Sequence, residues 1–240
     1  MSDEAFENLS KTERRELARQ MKKTDETKKS FSANIMKYAF YLIALFVIGF
    51  IFYSFLKPTS NSVDNAGEKL TVTGGEWIKG NLEANNTLFE FSDFQCPACA
   101  SYQPIVKQIE DQLGDQLKFI YKHFPLITIH KNAFSASLAS EAAGKQAKFW
   151  EMHDLLFKFQ DDWSNKGDPS TLFEEYARSL ELNADKFKED YASGDLKSKV
   201  EKDIALGNTL RINSTPTFYL NGQKLNLPIS VEQVKTLLSQ

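Results

Sequence analysis

The sequence predicts an α/β protein: a small mixed sheet with an inserted block of helices, preceded by a single membrane-spanning helix. Three observations carry this. Apolar strand-like runs at 87–94 and 117–124 flank a helical stretch, which requires a parallel crossover. Strand signals are then missing from 131 to 207 and return as a late hairpin. Residues 38–56 hold no charged residue.

Taken in order, residues 1–37 mix both signs of charge, as in Glu13, Arg14, Arg15, Glu16 and Arg19. They read as a solvated tail rather than a partner-binding helix, although Leu9, Leu17 and Met21 could form a short stripe. At the helical rise the run 38–56 suits a hydrocarbon core about 30 Å thick. Tyr38, Tyr41 and Tyr53 fall near its ends, where amphipathic rings meet headgroups. A buried soluble helix would show a polar face over such a length. A cleaved signal peptide would have a shorter apolar region and a small-residue cleavage site, which the residues around Phe55 and Pro58 do not offer. An uncleaved signal anchor is expected. Lys22, Lys23, Lys28, Lys29 and Lys37 precede the run and only Lys57 closely follows it, so 1–37 is expected inside the cytoplasm and the remainder outside. Residues 57–75, rich in Ser, Asn and Gly, read as a linker. A folded domain is then expected over 76–240, long enough for one sizeable core.

Within that domain a strand at 87–94 leads into a helix at 96–114, broken or kinked at Pro104. A second strand at 117–124 follows. The helical block covers about 131–207, with breaks at Asp168-Pro169 and Gly207-Asn208. A strand at 217–220, an Asn221-Gly222 turn and a strand at 223–227 form a hairpin. Ser230 caps a last helix at 231–238.

Cys96-Pro97-Ala98-Cys99 contains the only two cysteines of the 240 residues, at the corner between strand and helix. A first cysteine there meets free helix amides and the positive end of the helix dipole, which favour a thiolate. The second lies one turn on, within reach of a disulfide. Pro97 suits the first helical position, where no hydrogen bond is lost. The alternatives are a zinc half-site, a structural staple and a pair of inert core thiols. Zinc normally takes four ligands, and neither a second cysteine pair nor suitably spaced histidines accompany this one. A staple across so short a loop would constrain little of the unfolded chain. Redox chemistry is therefore expected, and an external, oxidising location would make the pair useful as a disulfide donor. The formal net charge of −3 gives no reason to expect nucleic-acid binding.

Around this motif the chain resembles the membrane-anchored, BdbD-like members of the DsbA-like branch of the thioredoxin superfamily. The resemblance covers roughly 80–240 and rests on FEFSDFQCPAC, KHFPL, HKNAFSASLASEAAGKQAKFWEMHDLLF and STPTFYLNG. Pro104, eight residues after Cys96, matches the helix-kinking proline common in such proteins. The resemblance implies a thioredoxin fold with a helical insertion. It implies Cys96 as exposed nucleophile, Cys99 as resolving cysteine and Thr215-Pro216 as a cis-proline loop facing them. It also implies Glu90 as the buried acid. Asp93 is expected at the polar surface, and His123 and His130 are expected to be structural. Phe149, Trp150, Met152, Leu155 and Leu156 are expected to pack the core. Pro97-Ala98 lacks the histidine that strongly oxidising relatives often carry there, so a weaker oxidase is expected.

The implied activity is thiol-disulfide exchange that introduces disulfides into unfolded or partly folded secreted proteins. The rivals are a reductase or isomerase, and a tethered chaperone-like module that binds clients. No cofactor or metal is expected in the chain itself. A DsbB/BdbC-like membrane quinone reductase is the expected reoxidant, and the protein is expected to be a monomer.

Overall fold

The computed structural model describes residues 70–239 together with Glu16, Leu45, Phe46, Ile48 and Gly49. The chain divides into two compact units, residues 1–62 and 63–240. Almost all of the expected cytoplasmic tail, most of the expected anchor and most of the expected linker lie outside the described residues. Among the described residues no helix is long and apolar enough to cross a membrane.

The second unit is built on five strands: β1 (Trp77–Gly80), β2 (Asn86–Ser92), β3 (Leu117–His123), β4 (Thr217–Leu220) and β5 (Gln223–Lys224). They pair in the order β1-β3-β2-β4-β5. Only β2 and β3 run parallel; the other pairings are antiparallel. The helix α1 (Pro97–Leu113) makes the parallel crossover between β2 and β3. Between β3 and β4 lie α2 (Ala133–Gly144), α3 (Phe149–Lys158), α4 (Gln160–Ser164), α5 (Ser170–Ser179), α6 (Ala184–Tyr191) and α7 (Gly194–Thr209). The last element is α8 (Val231–Leu238), whose amide at Gln233 is capped by the Ser230 hydroxyl.

The alternation of β2 sorts its side chains onto two faces. Leu88 points to one face and packs with Val106, Ile109 and Leu113 of α1 and with Val234 of α8. Phe89 and Phe91 point to the other and pack with Ile120, Tyr219, Leu210 and Ile212. A third core fills the insertion around Phe149, Met152, Leu156, Trp163 and Phe173, with Trp150 and Leu155 packed against it. Cys96 and Cys99 belong to that third core, so the cysteine pair sits on the seam between sheet and insertion.

Several expectations change. Strand β1 was not foreseen: four half-buried residues after a Gly-rich run are too short to show an alternation. It is held by Trp77, whose ring stacks on Phe149 at 4.6 Å and lies so close to Gly144 that a Cβ there would collide with it. Packing also starts earlier than residue 76, because Leu70 is buried in the Phe89–Phe91 core. The helix α1 is not broken at Pro104, which lies within it. Strand β5 ends at Lys224 instead of 227, since only Gln223 and Lys224 pair with β4. The turn before it takes positive φ at both Asn221 (50°) and Gly222 (80°), as a two-residue hairpin requires.

Candidate active site

The site begins with the central strand. β2 is paired on both edges, and its next residues, Asp93 to Gln95, carry the chain to the start of α1. Cys96 is the N-cap residue, with φ −75° and ψ 119°, and no side chain caps the helix there. The first-turn amides are therefore left to the Cys96 sulfur. Its thiol lies 3.5 Å from the carbonyl oxygen of Thr215. The Thr215–Pro216 peptide bond is cis, in agreement with the sequence. The structure thus brings Cys96, Cys99 and Thr215-Pro216 together.

The two sulfurs differ in kind. Cys96 has its thiol pKa lowered to about 5, chiefly by the hydrogen bond from the Cys99 thiol. Burial opposes the thiolate, and the backbone amides of Cys99 and Ala98 support it. Cys99 is fully buried, and burial pushes its pKa well up, reinforced by the neighbouring Cys96 and by Glu90. The expectation of an exposed Cys96 is corrected: it keeps only 7% of its surface, because the insertion core closes over it. Chemically, a thiolate beside a protonated thiol can attack a disulfide, and the same thiolate is the better leaving group from a mixed disulfide.

Glu90 shares its sheet face with Leu88, toward α1, and stands opposite Tyr121 and Phe218 in the register. Its carboxyl is wholly buried, and neither oxygen has a hydrogen-bond partner among the described residues. Burial raises its pKa to about 8, with Ser92 pulling the other way and Glu110 adding to the rise. At neutral pH it is largely protonated, so it opposes the Cys96 thiolate less than a carboxylate would.

Asp93, expected at the polar surface, is instead buried. Its Oδ1 accepts the Gln95 amide at 2.7 Å, and its Oδ2 accepts the Leu126 amide at 2.9 Å. The His130 Nδ1 lies 2.6 Å from the same Oδ2. Asp93 thereby ties the residue before Cys96 to the loop after β3. A lone Asp between Ser92 and Phe94 shows none of these long-range partners, so the sequence could not reveal it. His123 is likewise structural, with its Nε2 3.0 Å from buried Glu141. No cluster of metal-binding side chains occurs among the described residues.

Two outcomes test this electrostatic picture. In the reduced protein, alkylation of Cys96 should follow a titration centred near pH 5. Replacing Cys99 by Ala should move that midpoint up toward the ordinary thiol value of about 8.5. A midpoint unmoved by C99A would show that the Cys99 hydrogen bond is not the main source. For Glu90, a carboxyl with a raised folded-state pKa binds more protons folded than unfolded, so its contribution destabilises as pH rises from about 4.5 to about 8. Denaturant unfolding of the disulfide form, in which neither sulfur titrates, should show E90Q gaining on the wild type across that window, by on the order of 2–4 kcal/mol at the alkaline end. Parallel stability curves for the two proteins would contradict it.

A family profile described as thioredoxin matches residues 72–240. The structure is similar to the crystal structure of oxidised BdbD from Bacillus subtilis, at 28% identity and a TM-score of 0.61 over 69% of this chain and 91% of that one. It shares its fold with alpha-DsbA1 from Wolbachia pipientis, at 21% identity and a TM-score of 0.64 over 72% and 94% of the two chains. Among curated proteins, the Na(+)/H(+) antiporter NhaA 3 of Salinispora tropica is 34% identical over 157 residues, covering 65% of this chain and 23% of that protein. The chain therefore spans about a quarter of the length of the curated relatives it matches. With a matching profile over most of its length, a sheet carrying a helical insertion and a Cys96–Cys99 pair at the head of α1, the chain belongs to the thioredoxin family.

Proposed function

We propose that the protein introduces disulfide bonds into translocated proteins on the outer side of a membrane. The observation that carries this reading is the unequal pair: a Cys96 thiolate favoured down to about pH 5 beside a Cys99 thiol held protonated by burial. A stabilised thiolate favours the reduced form of the pair, which makes its disulfide oxidising.

In the proposed cycle a client thiolate attacks Cys96 Sγ, the Cys96–Cys99 bond breaks, and Cys99 leaves and takes a proton. Glu90, protonated near neutrality and electrostatically coupled to Cys99, is the group to supply it. A second client thiolate then attacks the client sulfur of the mixed disulfide and expels Cys96 as thiolate. Two electrons pass from client to enzyme. The Thr215 backbone beside Cys96, ahead of a proline with no amide proton, offers an edge on which an extended client segment can pair. Reoxidation of the reduced pair falls to a separate membrane protein of the DsbB/BdbC-like quinone reductase type.

The location rests on the uncharged run 38–56 with lysines concentrated before it. Among the described residues of that run, Leu45, Phe46 and Ile48 are helical with exposed side chains, as lipid-facing residues would be. The matching of this chain to parts of Na(+)/H(+) antiporters favours work at a membrane as well. Protease added to intact cells should remove the 76–240 domain and spare the N-terminus; a mature chain beginning after Leu56 would show cleavage instead of anchoring.

Direction is tested by equilibration with glutathione buffers. The expected potential lies between those of a reducing thioredoxin, about −270 mV, and the strongest oxidases, about −120 mV, nearer the latter. Reduced, unfolded client should gain disulfides with the wild type, gain none with C96A, and accumulate as a mixed disulfide with C99A. A potential at or below that of thioredoxin would make the protein a reductase. Client binding retained in C96A, with no redox effect on clients by the wild type, would make it a tethered binding module.

A further inference from the structure

The segment before the redox pair is gripped from the insertion by a side chain with no place in the exchange cycle. Gln160 opens the short helix α4 and is almost fully buried. Its amide Nε2 donates to the carbonyl oxygen of Phe94 at 2.6 Å and to that of Cys96 at 3.1 Å. Both amide hydrogens are thus directed at the two peptide carbonyls that flank Gln95. The Cys96 carbonyl also accepts the Ala100 amide at 3.2 Å, the first hydrogen bond of α1.

Neighbouring contacts reinforce the grip. Gln95 donates from its own side chain to the Ser164 carbonyl at 2.8 Å and accepts the Asn132 amide at 2.7 Å. The Asn132 side chain donates to the carbonyls of Trp163, Ser164 and Lys166. Helix α4 and the loop ahead of Cys96 are therefore one hydrogen-bonded body, although 64 residues separate Gln160 from Cys96.

We propose that Gln160 is a positioning residue of the thiol-disulfide site, whose amide holds the Cys96 backbone in its capping conformation and sets a positive dipole end beside the Cys96 carbonyl. Two effects follow. The N-cap geometry that keeps the sulfur at the helix amides depends on the orientation of the Cys96 peptide, which Gln160 fixes by donating to the Cys96 carbonyl oxygen. The donor also offsets the negative end of that carbonyl, which would otherwise weaken a nearby thiolate in a low-dielectric setting. The insertion thereby acts on the chemistry of Cys96 without touching its sulfur. The proposal rests on Cys96 being the reactive thiol.

The test uses the full chain purified in detergent, in its reduced form, with Q160M (similar length, no donor) and Q160E (similar shape, acceptors only). Cys96 and Cys99 are the only thiols in the sequence, so ultraviolet thiolate absorbance against pH reads them directly. Q160M should raise the Cys96 midpoint by about half a pH unit or more, a roughly threefold loss of thiolate at a given pH below it. Q160E should raise it further. The glutathione equilibrium should move by a similar factor toward the Cys96–Cys99 disulfide, because the reduced form loses its stabilised thiolate. A merely structural role would lower thermal stability and leave the midpoint in place; that result would overturn the proposal. If Q160E does not fold, Q160M decides, and failure of both to fold would assign Gln160 to stability alone and overturn it too. Absorbance is read without client or reoxidant, so a protein that proved to be a reductase would still show the shift.

Discussion

Everything at this site depends on one placement: a thiol set at the bare N-terminus of a helix, directly after a strand paired on both edges. The helix provides unsatisfied amides and the strand fixes where they point. Because no side chain caps α1, nothing competes with Cys96 for those amides. Cys99 then lies one turn into the helix, buried, where it donates to Cys96 and cannot easily lose its own proton. The difference between the two sulfurs is a difference in depth, produced by one helical turn.

The insertion is more than a lid beside this arrangement. Its core includes both cysteines, and its short helix α4 binds the chain just before them. It is itself fixed to the sheet by buried polar contacts. Glu141 of α2 accepts from the Trp77 indole at 2.8 Å and from Lys199 of α7 at 2.7 Å, and lies 3.0 Å from His123 at the end of β3. Burial alone would raise the Glu141 pKa, but His123 and Lys199 hold it below the ordinary carboxylate value. Asp203 of α7 receives Lys122 at 3.0 Å and the His123 amide at 3.1 Å. Breaking one member of such a network strands the others without partners, which is why these contacts fix orientation more than they add stability.

Glu90 is the counterpart of that rule: a buried carboxyl with no hydrogen-bond partner among the described residues, driven toward its neutral form. Such a group costs stability whenever it is ionised. Its charge acts on Cys99, whose pKa it helps to raise.

The sequence by itself determined what short-range physics writes locally. The Cys-Pro-Ala-Cys corner, the Asn221-Gly222 turn, the Ser230 cap and the strand at 217–220 each carry their own signature in adjacent residues. So does the apolar patterning that separates the sheet from the helical block, observed as helices from Ala133 to Thr209. The tertiary structure alone decided what depends on partners far along the chain. Strand β1 is too short to announce itself and exists because Trp77 packs on Phe149 and Gly144. Asp93 reads as a polar residue until Leu126 and His130 are brought to it, and Gln160 as an ordinary helix residue until Phe94 and Cys96 are. The burial of Cys96 belongs to the same class, because exposure is set by what the insertion lays over the site. Hydrogen bonds and burial between segments tens of residues apart leave no periodicity or spacing for a sequence to display.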